Sequence, residues 1–148
     1  NPNSRRWPAL ILLAVTVSVP FVFLHGRLSI TLTPSVGYRL FFISWGTEAG
    51  NLGQGDYVLF PVKGFSAPFI KKITCADGSV LAMQDDGYFC NGEYLGRAIK
   101  KKAQPFVWND AIPKDKLFVM GSHADSYDSR YFGFIDRKEV TARAVPIF

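Results

Sequence analysis

Cysteine is scarce in this 148-residue chain, which carries only Cys75 and Cys90. Two cysteines exclude a disulfide-dense miniprotein and a four-cysteine zinc module. Neither His25 nor His123 stands near a cysteine at metal-ligand spacing, so the residues point to no metal and no cofactor. After Leu24 no segment holds a helical period longer than three turns, which argues against a helical bundle. There is no internal repeat, no low-complexity tract and no Gly-x-Ser-x-Gly elbow around any serine. The net charge is +5, yet Lys100–Lys102 is the only basic run and no dense basic stripe appears, so nucleic acid is not an expected partner.

What is present is apolar and uneven. Hydrophobic residues make up 48% and aromatics 15%, too many for a disordered chain. Trp7–Leu24 is a run of 18 residues without one charge. As a helix it spans ~27 Å, close to a ~30 Å hydrocarbon core. Arg5 and Arg6 precede the run, and the positive-inside bias then puts the N-terminus in the cytoplasm. The expected organisation is a short cytoplasmic segment (1–6), a transmembrane anchor (7–24) and an extracytoplasmic domain (25–148). A cleaved signal peptide or a buried core helix are the rival readings of the run.

The remainder reads as β-structure. Leu28–Leu32 alternates apolar and polar residues, the period of a half-buried strand. Tyr38–Ile43, Tyr57–Val62, Ile70–Thr74, Val80–Met83, Tyr88–Cys90, Leu117–Met120, Tyr131–Ile135 and Val140–Ile147 follow as strands, with one helical turn over Asp136–Glu139. Asp77-Gly78 between two of these runs is a hairpin signal, and Asp85-Asp86-Gly87 and Asn91-Gly92 mark two more turns. The expected fold is mainly β: one transmembrane helix, then a compact antiparallel β-sheet domain. The turn-rich stretch between Cys75 and Cys90 brings the two together for a disulfide in an oxidising compartment, with two buried thiols as the alternative. Lys100–Lys102 reads as a solvated turn, or as a contact with anionic lipid headgroups.

Three segments could carry chemistry. Ser35, shortly after the apolar run, is held near the membrane surface, but a serine nucleophile needs a base and an oxyanion donor. His123 and Asp128 would complete a Ser-His-Asp triad, though His123 lies in a polar loop. A lysine serves as base where burial lowers its pKa. In Phe69-Ile70-Lys71-Lys72-Ile73, strand alternation sends Lys71 and Lys72 to opposite faces. Gly121–Tyr131 is dense in small polar residues able to hold an amine, and Asp128 and Arg130 can pair there to fix the loop.

Taken together in order, these segments resemble the signal peptidase I superfamily of membrane-anchored serine–lysine proteases. Thr33-Pro34-Ser35 resembles its Ser-x-Ser nucleophile box, and Gly55-Asp56-Tyr57-Val58 its Gly-Asp-hydrophobic-Val strand. Ile70-Lys71-Lys72-Ile73 resembles the box with the base lysine. Ser126–Gly133 resembles Ser-x-Asp-Ser-Arg-Tyr-x-Gly, and Arg143-Ala144 its downstream Gly-Arg-Ala. The resemblance implies Ser35 as nucleophile and Lys71 as neutral general base. It implies an oxyanion hole from the Ser35 N–H and the Thr33 hydroxyl, Ser126 orienting Lys71, and Asp128 and Arg130 as supports. Lys72 would face away.

The chain also departs from that pattern. Val36-Gly37-Tyr38 replaces the Met-x-Pro or Leu-Pro that usually follows the serine. Cys75-Ala76-Asp77-Gly78-Ser79 stands where Gly-x-Pro-Gly-Asp is usual, and Gly121-Ser122-His123 replaces Gly-Asp-Asn. Residues 25–148 leave no room for the large second β-domain of some bacterial signal peptidases. A small domain, one anchor and a cysteine pair are more like the TraF-type conjugative-transfer peptidases. That likeness implies an inner-membrane, single-pass enzyme with a periplasmic catalytic domain, whose partners are the bilayer and a pilin or other exported precursor. Some TraF-type enzymes cyclise their product. The alternative is an inactive anchored β-domain that scaffolds a secretion or pilus machine.

Overall fold

The computed structural model describes residues 16, 26–30, 36–46, 51–99 and 103–148. Apart from Thr16, the expected anchor lies outside the described residues, as do Thr33, Ser35 and Lys100–Lys102. Among the described residues no helix is long and apolar enough to cross a membrane.

Among the described residues eleven strands form two sheets, and every paired neighbour is antiparallel. The larger sheet has the order β1-β2-β11-β3-β4-β9-β10. Its strands are β1 (Leu28–Ile30), β2 (Leu40–Trp45), β3 (Tyr57–Phe60), β4 (Phe69–Ala76), β9 (Lys116–Met120), β10 (Ile135–Asp136) and β11 (Ala142–Pro146). The smaller sheet has the order β7-β6-β5-β8, from β5 (Val80–Gln84), β6 (Gly87–Cys90), β7 (Glu93–Arg97) and β8 (Asp110–Ala111).

The centre of the larger sheet is buried on both faces. Leu59 and Ile70 pack on one side with Phe41, Ile43, Ala142 and Ala144. Val58, Phe60 and Ile73 pack on the other with Leu117, Val119 and Ile135. A third cluster lies against the smaller sheet and includes Leu81, Tyr88, Ile112, Phe118 and Met120. Phe41, Phe60 and Phe118 are wholly buried, each contributing about 1.5–3 kcal/mol of apolar burial. The β4–β9 pairing slips at Thr74, between Ile73↔Val119 and Cys75↔Phe118. This bulge bends β4 where it leaves one cluster and enters the next.

The turns at Asp85-Asp86 and Asn91-Gly92 close two-residue hairpins, β5–β6 and β6–β7. All four residues have positive φ, from 48° to 86°, as type I′ hairpins require. Asp77-Gly78 also turns, with Gly78 at φ 82°, but it makes no hairpin. β4 pairs with β3 and β9, while β5 pairs with β6 and β8. The turn passes the chain from one sheet to the other because residues 110–112 take the place β4 would fill. Gly78 N donates to Ile112 O at 3.0 Å, and Ile112 N to Ser79 O at 2.8 Å. The expected strand Tyr131–Ile135 is likewise corrected. Ser129–Phe132 is a helical turn, α1, and only Ile135 enters a strand. The Asp128 side chain caps α1 by accepting from the Arg130 amide, a local bond that outweighs the β-propensity of Tyr131 and Phe132. Arg137–Glu139 forms the expected single turn as a 3₁₀ helix.

Candidate active site

The two adjacent lysines are separated by register. Lys71 stands opposite Val58 on β3, and Lys72 opposite Tyr57. Lys71 is only 4% exposed, whereas Lys72 faces solvent. The Lys71 ammonium donates to Ser126 Oγ at 2.7 Å and lies 5.4 Å from the centre of the Phe69 ring. Burial penalises the charged form and brings the Lys71 pKa down to about 8. The Asp128 carboxylate pulls against this shift, and the Arg130 guanidinium adds to it.

Ser126 is presented by a loop whose shape is set by a buried ion pair. Arg130 Nε donates to Asp128 Oδ1 at 2.8 Å and Nη2 to Oδ2 at 2.7 Å, a bidentate contact between residues 3% and 0% exposed. The rest of the guanidinium binds main-chain carbonyls: Nη1 reaches Arg97 O at 2.9 Å, and Nη2 reaches His123 O at 3.2 Å. Asp128 Oδ2 also accepts from the Gly121 amide at 2.8 Å. Ser129 Oγ accepts from Val119 N at 2.9 Å, fixing α1 to β9. Every polar group of this buried cluster that carries a charge thus has partners, as a low-dielectric site demands.

His123 and Asp128 do not join in a triad. His123 is exposed and its Nδ1 accepts from the Asp125 amide at 3.1 Å, within its own loop. Both Asp128 oxygens are turned to Arg130, its amide and Gly121.

The chain immediately after Ser35 reaches this neighbourhood. Val36 is buried with Ile70 and Leu59, on the face of the sheet opposite the one Lys71 shares with Val58. Gly37 adopts φ 76°, and a Cβ there would stand 3.3 Å from Ser122 Oγ, in the segment leading to Ser126. Two other segments of the motif set also interlock. Arg143 Nη2 donates to Asp56 Oδ2 at 2.6 Å, and the same oxygen accepts from Gly53 N at 2.9 Å. Arg143, Val58 and Lys71 are consecutive cross-strand partners on β11, β3 and β4.

A disulfide joins Cys75 to Cys90, with the Cα atoms 5.7 Å apart. It ties β4, the strand of Lys71, to β6 of the smaller sheet. Sequence reasoning missed two contributors to the site. Tyr88 places its hydroxyl 2.6 Å from Phe106 O and 2.9 Å from Arg130 O. Phe69 places its ring beside the lysine. Phe69 carries a readable signal, since it lies two positions before Lys71 and so on the same strand face. Tyr88 carries none, because its partners are main-chain carbonyls distant in sequence.

The sequence profile of the family described as signal peptidase, peptidase S26, matches residues 5–148. The chain belongs to this family. Membership makes it a peptidase of the signal peptidase I type, with a mainly antiparallel β fold. Signal peptidase I P of Bacillus subtilis subsp. natto is 29% identical over 84% of this chain and 77% of its own length. Conjugal transfer protein TraF of Agrobacterium fabrum is 34% identical over 57% of this chain, a match spanning about half (51%) of that protein. A crystal structure of a signal peptidase I from Enterococcus faecalis V583 aligns at a TM-score of 0.47 and 23% identity, over 63% of this chain and 96% of that one.

Proposed function

We propose that this signal-peptidase-family chain is a membrane-anchored serine endopeptidase, with Ser35 as nucleophile and Lys71 as general base. The observation that carries the reading is the buried Lys71 ammonium bound to Ser126 Oγ at 2.7 Å, beside an exposed Lys72. A lysine can act as base only when neutral, and a pKa of about 8 leaves a useful neutral fraction near physiological pH. Lys71 accepts the Ser35 hydroxyl proton as Ser35 Oγ attacks the scissile carbonyl. The oxyanion is stabilised by the Ser35 N–H and the Thr33 hydroxyl. The tetrahedral intermediate collapses as Lys71 returns the proton to the leaving amine. Water, deprotonated by Lys71, then hydrolyses the acyl-enzyme. Ser126 orients the amine, and Asp128 with Arg130 holds the loop that carries Ser126.

The apolar run at residues 7–24 serves as the anchor in this reading, with residues 25–148 on the periplasmic side of the inner membrane. The substrate is an exported precursor. The likeness to a conjugal transfer protein favours a pilin, whose released amine would give a circular product if it reached the acyl-enzyme before water.

The test is cleavage of an exported precursor by the purified full chain. Ser35→Ala and Lys71→Ala abolish cleavage, while Lys72→Ala keeps most of it. Retained activity in Lys71→Ala overturns the lysine assignment. A folded wild-type chain that cleaves no precursor favours the scaffold alternative. Mass spectrometry of the product gives the cleaved bond, and a product lighter by one water identifies a circle.

A further inference from the structure

A row of aromatic rings runs outward from Lys71. The Phe69 ring centre is 5.4 Å from Nζ. Phe65 lies 4.8 Å beyond Phe69, and Tyr127 lies 5.8 Å from Phe65. Tyr127 in turn contacts Tyr131 at 5.9 Å and Phe132 at 5.5 Å. The outer rings face water, with Phe65 53% exposed and Tyr127 37%. Both are nevertheless held in place. Phe65 sits at the turned tip of the β3–β4 connection, where Gly64 takes φ 89° and the Phe65 amide donates to Val62 O at 3.1 Å. Tyr127 stands between Ser126 and Asp128, both buried and both fixed by the bonds described above.

We infer that Phe65 and Tyr127, continuing from Phe69, form a subsite for one large apolar side chain of the substrate, within about three residues of the scissile bond. The inference rests on the peptidase reading and adds a recognition element to it. An extended polypeptide advances ~3.3 Å per residue. For Lys71 to act, the scissile bond must lie beside its amine, within ~3 Å of the reacting groups. A chain running from there across Phe69, 5.4 Å from the amine, reaches Phe65, 4.8 Å further on, in about three residues. The chemistry of the occupant follows from the rings: aromatic pairs favour edge and offset contact with another ring or an aliphatic chain. An apolar side chain there covers the open side of Phe69 and keeps water from the buried amine. The occupant is therefore the substrate, because the row is continuous with the reacting amine.

The experiment uses the purified full chain in detergent and a peptide set sharing one cleavable sequence. Each position from the third before to the third after the cleaved bond is either Ala or Phe. Wild type shows one position at which Phe raises kcat/KM about tenfold over Ala, chiefly through KM, as burial of one ring gives. Tyr127→Ala and Phe65→Ala bring that ratio close to one, whereas Tyr127→Phe retains it. Equal use of Phe and Ala at every position by an active wild type overturns the subsite and leaves the peptidase reading intact. Persistence of the ratio in both alanine variants does the same. Absence of all cleavage overturns the peptidase reading and the subsite with it. The full chain carrying Phe65→Trp, reconstituted in vesicles that contain brominated lipid, tests the competing occupant. Quenching of the added tryptophan fluorescence by the bromines, with an unchanged peptide ratio, assigns the rings to the bilayer instead.

Discussion

The Tyr88 hydroxyl lies 2.9 Å from the main-chain carbonyl of Arg130, 42 residues away, and so links the smaller sheet to the loop that presents Ser126. The phenol is wholly buried, and burial pushes its pKa up to about 12, so it remains a donor throughout the physiological range. Arg97 O, at the end of β7, accepts from the same arginine. The smaller sheet thus supports the candidate active site from behind through two independent bonds.

Tyr88→Phe removes the hydroxyl and leaves the Phe106 carbonyl without this donor, while the Arg130 carbonyl keeps the Phe106 amide at 2.8 Å. The expected cost is about 1–3 kcal/mol of stability, read as a lower urea midpoint with an unchanged m-value. Activity falls through kcat more than KM, because the loop that orients Lys71 loosens while the Phe65–Tyr127 rings remain.

Lys71 gives a pH dependence of known sign. Its folded pKa of about 8 lies below the ordinary lysine value of 10.5. Between those values the unfolded chain holds more protons than the folded one, so stability rises with pH from about 8 towards 10.5. The gain is on the order of 3 kcal/mol, and it is absent below pH 8. Urea unfolding of the wild type should show this rise, and Lys71→Met should abolish it while being the more stable protein at pH 7. In kinetics, kcat/KM rises with pH through an apparent pKa near 8 and levels off above it. A limb near pH 6–7 that vanishes in His123→Ala overturns the lysine base in favour of histidine.

The Cys75–Cys90 disulfide closes a short loop, with a sequence separation of 15. Loops of this length are worth about 3 kcal/mol through restriction of the unfolded chain. Dithiothreitol, or the Cys75→Ala/Cys90→Ala pair, should lower the unfolding midpoint accordingly. Unchanged stability on complete reduction would show that the two sheets hold together without the cross-link.

Much of this architecture was legible because it is local. The apolar runs of the β3 and β4 segments revealed both strands, and strand alternation the opposite facing of Lys71 and Lys72. The two positive-φ turns were visible as Asp-Asp-Gly and Asn-Gly. What was illegible depended on distant partners. Asp77-Gly78 carries the same turn chemistry as a hairpin, and only the arrival of residues 110–112 makes it a passage between sheets. Glu93–Arg97 hides as a strand because Gly96 interrupts its pattern, and β8 is two residues long. Tyr131 and Phe132 have strand propensity, yet a single cap from Asp128 winds them into α1. At the site, Ser126, Asp128 and Arg130 could be read from their motif. Tyr88, the Arg97 carbonyl and the Arg143–Asp56 contact arise from folding across 33 to 87 residues of chain.

The opposite environments of Lys71 and Lys72 give the chain an odd–even rule for changes in its length. Two side chains of identical chemistry differ here only in the parity of their position on β4, and one slipped residue sends each to the other's face. Insertions in the 61–68 connection are absorbed by the turn and leave that parity alone. One residue added between Ile70 and Ile73 exchanges the two lysines, whereas two restore the original order one step along the sheet. Variation in length should therefore be excluded from the four residues around Lys71.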